Sequence, residues 1–181
     1  MTIPRCLAAA LAASLIFASP LAAQDEAQAP PPNPCESGPY TQFDFWVGHW
    51  DVHDSEGILQ GHNLITKEEN GCLVLERWTS VTGSTGQSYN YYDPGIDAWR
   101  QVWVSQGITI DYKGGVDASG AMVLFGDIAY RSGARYPFTG RWELLDDGAV
   151  KQSFQQYNPD AADWVDWFTG YYTLREDEAA D

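Results

Sequence analysis

The sequence predicts an all-β protein, a single up-and-down antiparallel barrel of about ten strands. Three observations carry that reading. From Trp46 onward the 181-residue chain repeats one unit, six to ten residues rich in Val, Ile, Thr, Tyr and Trp and then a turn of Gly, Asp, Asn or Ser, without a sustained helical period. The turns include Ser55-Glu56-Gly57, Glu69-Asn70-Gly71, Asp93-Pro94-Gly95, Ala118-Ser119-Gly120 and Asp146-Asp147-Gly148, the chemistry of short hairpin loops. After Tyr40 only Pro94, Pro137 and Pro159 remain, each beside turn or loop residues, as proline must be when strands keep a full ladder. An open ten-stranded meander would leave two raw edges, and closure removes them. The alternative, a two-sheet sandwich, needs longer crossings than these turns supply.

Taken from the N-terminus, residues 1–23 read as a secretory signal peptide: one positive charge at Arg5, an apolar run of 13 residues from Cys6 to Ala18, and small residues up to a cleavage site near Ala23. That run is shorter than the ~20 residues a spanning helix needs, so no membrane insertion of the mature chain is expected. Residues 24–39 form a Pro-rich tether, with proline at five of the ten positions from Pro30 to Pro39, and such a segment is expected to stay extended and solvated. The barrel domain occupies 40–174. Its strands are expected at Val47–Asp54, Ile58–Lys67, Cys72–Val81, Gly86–Tyr92, Ala98–Ser105, Ile108–Lys113, Ala121–Tyr130, Pro137–Leu145, Ala149–Tyr157 and Trp164–Arg175. Residues 175–181 are an acidic tail.

Charge excludes whole classes of partner. With 25 Asp and Glu against 10 Lys and Arg the formal net charge is -15, and it becomes -16 once Arg5 leaves with the signal peptide. A nucleic-acid backbone or an anionic membrane needs a concentrated cationic surface, which this chain lacks. Export to the periplasm or full secretion also sets the redox context. Two cysteines survive cleavage, Cys35 in the tether and Cys72 at the start of a strand, and an even count in an oxidising compartment predicts a disulfide. Two free thiols are the alternative, and a metal site would lack ligands.

The run Phe43-Asp44-Phe45-Trp46-Val47-Gly48-His49-Trp50-Asp51-Val52 contains Gly48-x-Trp50 at the first strand. Further on come Gly61-His62-Asn63, Gly71-Cys72, Glu76-x-Trp78, Gly86-x-Ser88-x-Asn90-x-Tyr92-Asp93, Trp99-x-Gln101-x-Trp103-Val104 and Phe168-x-Gly170-x-Tyr172. Together they resemble a family of bacterial exported calycin-like barrels, related to lipocalins and fatty-acid-binding proteins, over roughly Cys35 to Tyr172. The family has no settled activity to carry over. The resemblance therefore implies a calycin-like fold with room for one small ligand, and an arginine, Arg141 or Arg175, capping Trp50 by cation-π stacking. The chain departs from the pattern at His49, where an acidic residue is expected, and at Asn158–Asp163, which lacks a Gly-rich turn.

Alternation along the strands assigns faces. Phe138, Trp142 and Leu144 are expected inside, opposite Thr139, Arg141 and Glu143; so are Val150, Gln152 and Phe154, and Trp99, Gln101 and Trp103. In the third strand the set Val74, Glu76 and Trp78 is placed inward, with Leu73, Leu75 and Arg77 as the opposite register. Ser88, Asn90 and Tyr92 then line the neighbouring strand. The candidate ligand-binding set is Trp78, Ser88, Asn90, Gln101, Trp103 and Gln152, with Glu76 the candidate catalytic carboxyl. Trp46, Trp50 and Trp142 read as packing at a closed end.

No nucleophile elbow, phosphate loop or Cys-x-x-Cys occurs in the chain. His49 and His53 would stand ~13 Å apart on a strand, which leaves only a surface divalent site with His62, Asp51 or Asp54 open, and no metal is assigned. Some ten-stranded calycin barrels hold haem through a histidine on a late strand. This chain has none after His62, so no cofactor is expected. Three readings follow. A small-molecule-binding barrel leads; an enzyme using the same cavity for proton transfer, with Glu76 as acid or base and Asn90 or Gln101 orienting the substrate, comes second; a solid-core interaction protein is third.

Overall fold

A computed structural model describes residues 32–175; the expected signal peptide, the first half of the tether and the tail beyond Arg175 lie outside the described residues. Ten strands follow one another: β1 (Gly48–His53), β2 (Leu59–Glu68), β3 (Leu73–Ser80), β4 (Thr85–Asp93), β5 (Ala98–Ser105), β6 (Ile108–Val116), β7 (Met122–Tyr130), β8 (Arg135–Leu144), β9 (Val150–Asn158) and β10 (Asp163–Leu174). Each pairs antiparallel with its neighbour in the chain. The barrel closes where β1 meets β10, through Trp50–Leu174, Asp51–Thr173, Val52–Tyr172 and His53–Tyr171. No edge is left unpaired, which is the advantage of closure over an open sheet.

Hairpin turns set this topology locally. Gly57, Gly120 and Gly148 each donate a backbone N–H to the carbonyl three residues back, at 3.0–3.1 Å. Gly57 and Gly120 do so at φ +78° and +89°, the left-handed region where only glycine is unstrained. The last turn does without glycine: Ala162 takes φ +52°, and Asn158 Oδ1 steadies it by accepting from the backbone N–H groups of Asp160 and Ala161. A short polar side chain thus substitutes for a Gly-rich turn.

One end of the barrel is filled from outside the sheet. Residues 34–46 run across it as three single 3-10 turns, Pro34–Glu36, Gly38–Thr41 and Asp44–Trp46. Phe43 stacks on Trp46 with centroids 4.9 Å apart and meets Trp99 and Trp142 edge-on at 5.6 and 5.3 Å. Trp50 Nε1 donates to Trp46 O. Three attachments fix the segment to the wall. The Cys35–Cys72 disulfide ties it to the start of β3, Lys67 Nζ of β2 lies 2.7 Å from Asp44 Oδ1, and Trp99 Nε1 of β5 donates to Pro39 O at 3.1 Å. Trp46, Trp50 and Trp142 are all buried at this end.

Three expectations need correction. The second half of the tether is not solvated, because Cys35 is buried and bridged and Pro39 is bonded to the wall, so the ordered unit begins before residue 40. Leu144 shares the parity of Phe138 and Trp142 but is exposed, since it stands at the end of β8 beyond the last layer of the core. Neither arginine caps Trp50: Arg141 is engaged by Asp117 and Glu143, and Arg175 by Asp51 and the His49 ring. Trp50 is covered instead by Gly48 and Leu174, whose atoms crowd together there. Among the described residues no helix is long and apolar enough to cross a membrane.

Phe43 is the central ring of the plug, and truncating a fully buried phenylalanine removes both its transfer energy and its packing. Phe43→Ala is expected to lower stability by about 3–5 kcal/mol in urea unfolding. A loss under about 1 kcal/mol would mean that the plug and the barrel are energetically independent.

Candidate functional site

With one end plugged, space remains towards the other. A cavity of about 180 Å³ opens there, walled by Trp78, Trp103, Ile110, Phe154, Trp167 and Phe168 and floored by Glu76, Gln101, Tyr112, Gln152 and Tyr172. Glycines shape the wall. A Cβ on Gly86 would stand 2.1 Å from Trp103 Cζ2, and one on Gly61 would stand 2.6 Å from Trp78 Cη2. Each indole therefore lies flat in a slot that only a missing side chain provides, which keeps both rings against the wall rather than across the opening. Gly170 leaves similar room for Phe168.

Trp167 reaches the cavity by a different device. The β9–β10 register shifts between Asp166 and Phe168, leaving Trp167 as the extra residue of a bulge. Its ring meets Phe138 and Phe154 at 5.5 and 6.1 Å, and its Nε1 donates to Tyr130 Oη at 3.2 Å. It remains 41% exposed, which puts it at the rim.

The floor is a continuous polar belt. Tyr112 Oη donates to Gln101 Oε1, and Gln101 Nε2 donates to Asn90 Oδ1. Asn90 Nδ2 donates to Ser88 Oγ at 2.8 Å, and Ser88 Oγ donates to Glu76 Oε2 at 2.5 Å. From the other side Asn63 Nδ2 donates to Glu76 Oε1 at 2.7 Å, and Tyr172 Oη donates to Gln152 Oε1 at 2.7 Å. All these groups are buried, with Glu76 4% exposed. The β3 register brings them together, since Glu76 faces Ile65 on β2 and Ser88 on β4, one residue pair away from Asn63 and Asn90 along those strands' inner faces.

Glu76 is thus the acceptor on which the belt converges. Burial pushes its carboxyl up to about 7, because desolvation outweighs the lowering effect of the hydrogen bonds from Ser88 and Asn63. Burial likewise raises the Tyr112 and Tyr172 phenols, with the Glu76 charge adding to it. Among the described residues no Lys, Arg or His lines the cavity.

No protein-family model matches the chain, and no curated protein matches it either.

Of the residues expected at the site, Glu76, Trp78, Gln101, Trp103 and Gln152 line the cavity. Ser88 and Asn90 do not; they face inward, as expected, but lie behind Glu76 within the belt. Asn90 spends both Nδ2 hydrogens on Val74 O and Ser88 Oγ and lies outside the lining, whereas Gln101 uses one Nε2 hydrogen on Asn90 and keeps a second at the cavity floor. Asn63, Ile110, Tyr112, Phe154, Trp167, Phe168 and Tyr172 complete the site without belonging to the candidate set, although Asn63, Phe168 and Tyr172 stand in the motifs of the resemblance. Alternation from Gly61 to Ile65 and from Ile108 to Lys113 points to Asn63 and Tyr112, whereas a bulge residue such as Trp167 has no parity to read. The three histidines stand apart from the cavity. His62 Nδ1 lies 2.7 Å from Asp51 Oδ1 across β1 and β2, and among the described residues no group of three or more His, Cys, Asp or Glu could hold a metal ion.

A carboxyl whose pKa rises on folding destabilises the fold wherever the unfolded chain would ionise it. The cost of Glu76 therefore begins near its ordinary value of 4.5, grows with pH, and levels off above about 7. A glutamine keeps one acceptor for Ser88 and can donate to Asn63 once that amide turns to present Oδ1, which has no hydrogen-bond partner among the described residues. Glu76→Gln is expected to gain up to about 3 kcal/mol relative to wild type between pH 4.5 and pH 8. Paired urea titrations at the two pH values check this. A difference that does not change with pH would place the carboxyl in solvent.

Proposed function

We propose that the protein is an exported small-molecule-binding barrel that sequesters a partly apolar ligand in the cavity above Glu76. The observation that carries this reading is the combination of an open, aromatic-walled space with a single buried carboxyl on its floor. A buried polar group is retained at a cost, and concave apolar sites with a few convergent polar groups are where small molecules bind. Size narrows the occupant. An apolar cavity of ~150 Å³ takes benzene, so about 180 Å³ suits a compound of one ring with a short substituent, not haem or a long acyl chain. The Cys35–Cys72 bridge fits an oxidising compartment, and with the signal-like N-terminus it supports the periplasm or the extracellular space as the address. The resemblance to calycin-like barrels points the same way.

A second reading is favoured by one observation. A carboxyl titrating near 7 and facing a cavity is suited to proton transfer, as in an isomerase, cyclase or hydratase, with Glu76 as acid or base. The presence of the cavity weighs against a solid-core interaction protein.

Native mass spectrometry of protein purified from its source is expected to find a co-purified molecule of about one-ring size. Gly86→Ala is expected to release it, because the new methyl group drives the Trp103 indole into the cavity. An unliganded wild type whose tryptophan emission responds to no member of a small aromatic and terpenoid panel would sink the binding reading. If Glu76→Gln abolishes turnover of a bound compound while its affinity holds, the enzyme reading replaces it.

A further inference from the structure

The direction of the hydrogen bonds around Glu76 says what kind of molecule belongs above it. Every link on the β3–β6 side donates towards the carboxyl: Tyr112 to Gln101, Gln101 to Asn90, Asn90 to Ser88, Ser88 to Oε2. Asn63 donates to Oε1. An arrangement in which both oxygens receive protons fits the anion, since a protonated carboxyl would have to reverse Ser88 or turn the Asn63 amide to find an acceptor. The anion is nevertheless buried without a counter-charge. Among the described residues no cationic side chain lines the cavity, and the titratable groups that face Glu76 from the other strands are the phenols of Tyr112 and Tyr172.

The remaining wall is the side chain of Ile110 and the rings of Trp78, Trp103, Phe154, Trp167 and Phe168. Aromatic faces attract an organic cation through their quadrupoles and accommodate its hydrocarbon part. A metal ion fits poorly, because calcium or magnesium requires six or more oxygen ligands and this floor offers one carboxylate among amides and phenols. The field outside agrees in sign: the chain carries a net charge of -15, and the turns at the open end hold Asp54, Glu56 and Asp160 against Arg131. Such a field raises the local concentration of cations at the opening.

We propose that the cavity takes a compact organic cation, an amine of about one-ring size whose ammonium group pairs with Glu76 while its ring packs among the tryptophans. The inference rests on the small-molecule-binding reading and gives that site its ligand class. Burial that pushes the Glu76 carboxyl up to about 7 supplies the coupling: binding the cation favours the ionised form, so affinity rises with pH across neutrality.

The test compares benzylamine with its neutral isostere benzyl alcohol, by tryptophan emission and titration calorimetry on the intact, disulfide-bonded protein at pH 5.5 and pH 8. Benzylamine is charged at both values. It is expected to bind at least tenfold more tightly than the alcohol at pH 8, to lose about tenfold at pH 5.5, and to lose tenfold or more in Glu76→Gln, while the alcohol changes less than threefold in each comparison. The two pH arms on wild type decide the matter even where the variant folds poorly. Equal or tighter binding of benzyl alcohol at pH 8 would overturn the cation assignment and leave the binding reading standing. Binding of neither compound, nor of any other amine or neutral of that size, would overturn both.

Discussion

A barrel of ten strands is too wide for its own inward side chains to fill, so one end must be closed by something else. Here the closure is an aromatic stack, Phe43 on Trp46 against Trp99 and Trp142, carried in by a segment that precedes the first strand. Much else depends on it. The plug sets the depth of the core, the core sets the height of the polar belt, and the belt forms the floor of the cavity. The three attachments, a disulfide, an ion pair and an indole hydrogen bond, reach different strands and so hold the plug against rotation as well as withdrawal.

The belt solves a problem created by placing a carboxyl in that core. An isolated buried charge is very costly, and the usual remedies are a salt bridge or protonation. Among the described residues Glu76 has no basic partner in the cavity, and burial pushes its carboxyl up to about 7, so the protein carries it in a balance between two states. Amide and hydroxyl dipoles from β2 to β6 share the task of stabilising the anion, each polarised by the next. The arrangement costs fold stability from about pH 4.5 upward, in full above about 7, and leaves a proton or a charge on the floor of the cavity.

Ten strands were legible in the sequence because the turns punctuate it and because alternation survives in most of the strands. The inward choice of Glu76 was harder. Leu75, on the opposite face, is nearly as buried at 8% as Glu76 at 4%, so apolar content alone does not separate the two registers. Parity gives a face but not a depth, which is why Ser88 and Asn90 read as cavity residues when they stand behind Glu76, and why Leu144 read as core when it lies past the end of it. The plug was illegible for another reason: proline at five of ten positions signals a solvated chain, and three isolated 3-10 turns have no period to detect. Trp167 owes its place to a register shift, which no local pattern announces.

The glycines beneath the wall indoles have a consequence for how such a protein changes over time. At Gly86 one added carbon meets only the Trp103 ring, so a single substitution is enough to redraw the chamber's outline, whereas at Gly61 it would also press on the Thr79 backbone carbonyl. Neither position belongs to the hydrogen-bonded floor, and neither touches the plug. The shape of the chamber can therefore change in few steps while the costly buried carboxyl and its network pass on intact. Divergence within such a lineage should show in the outline of the chamber sooner than in the charge of its floor.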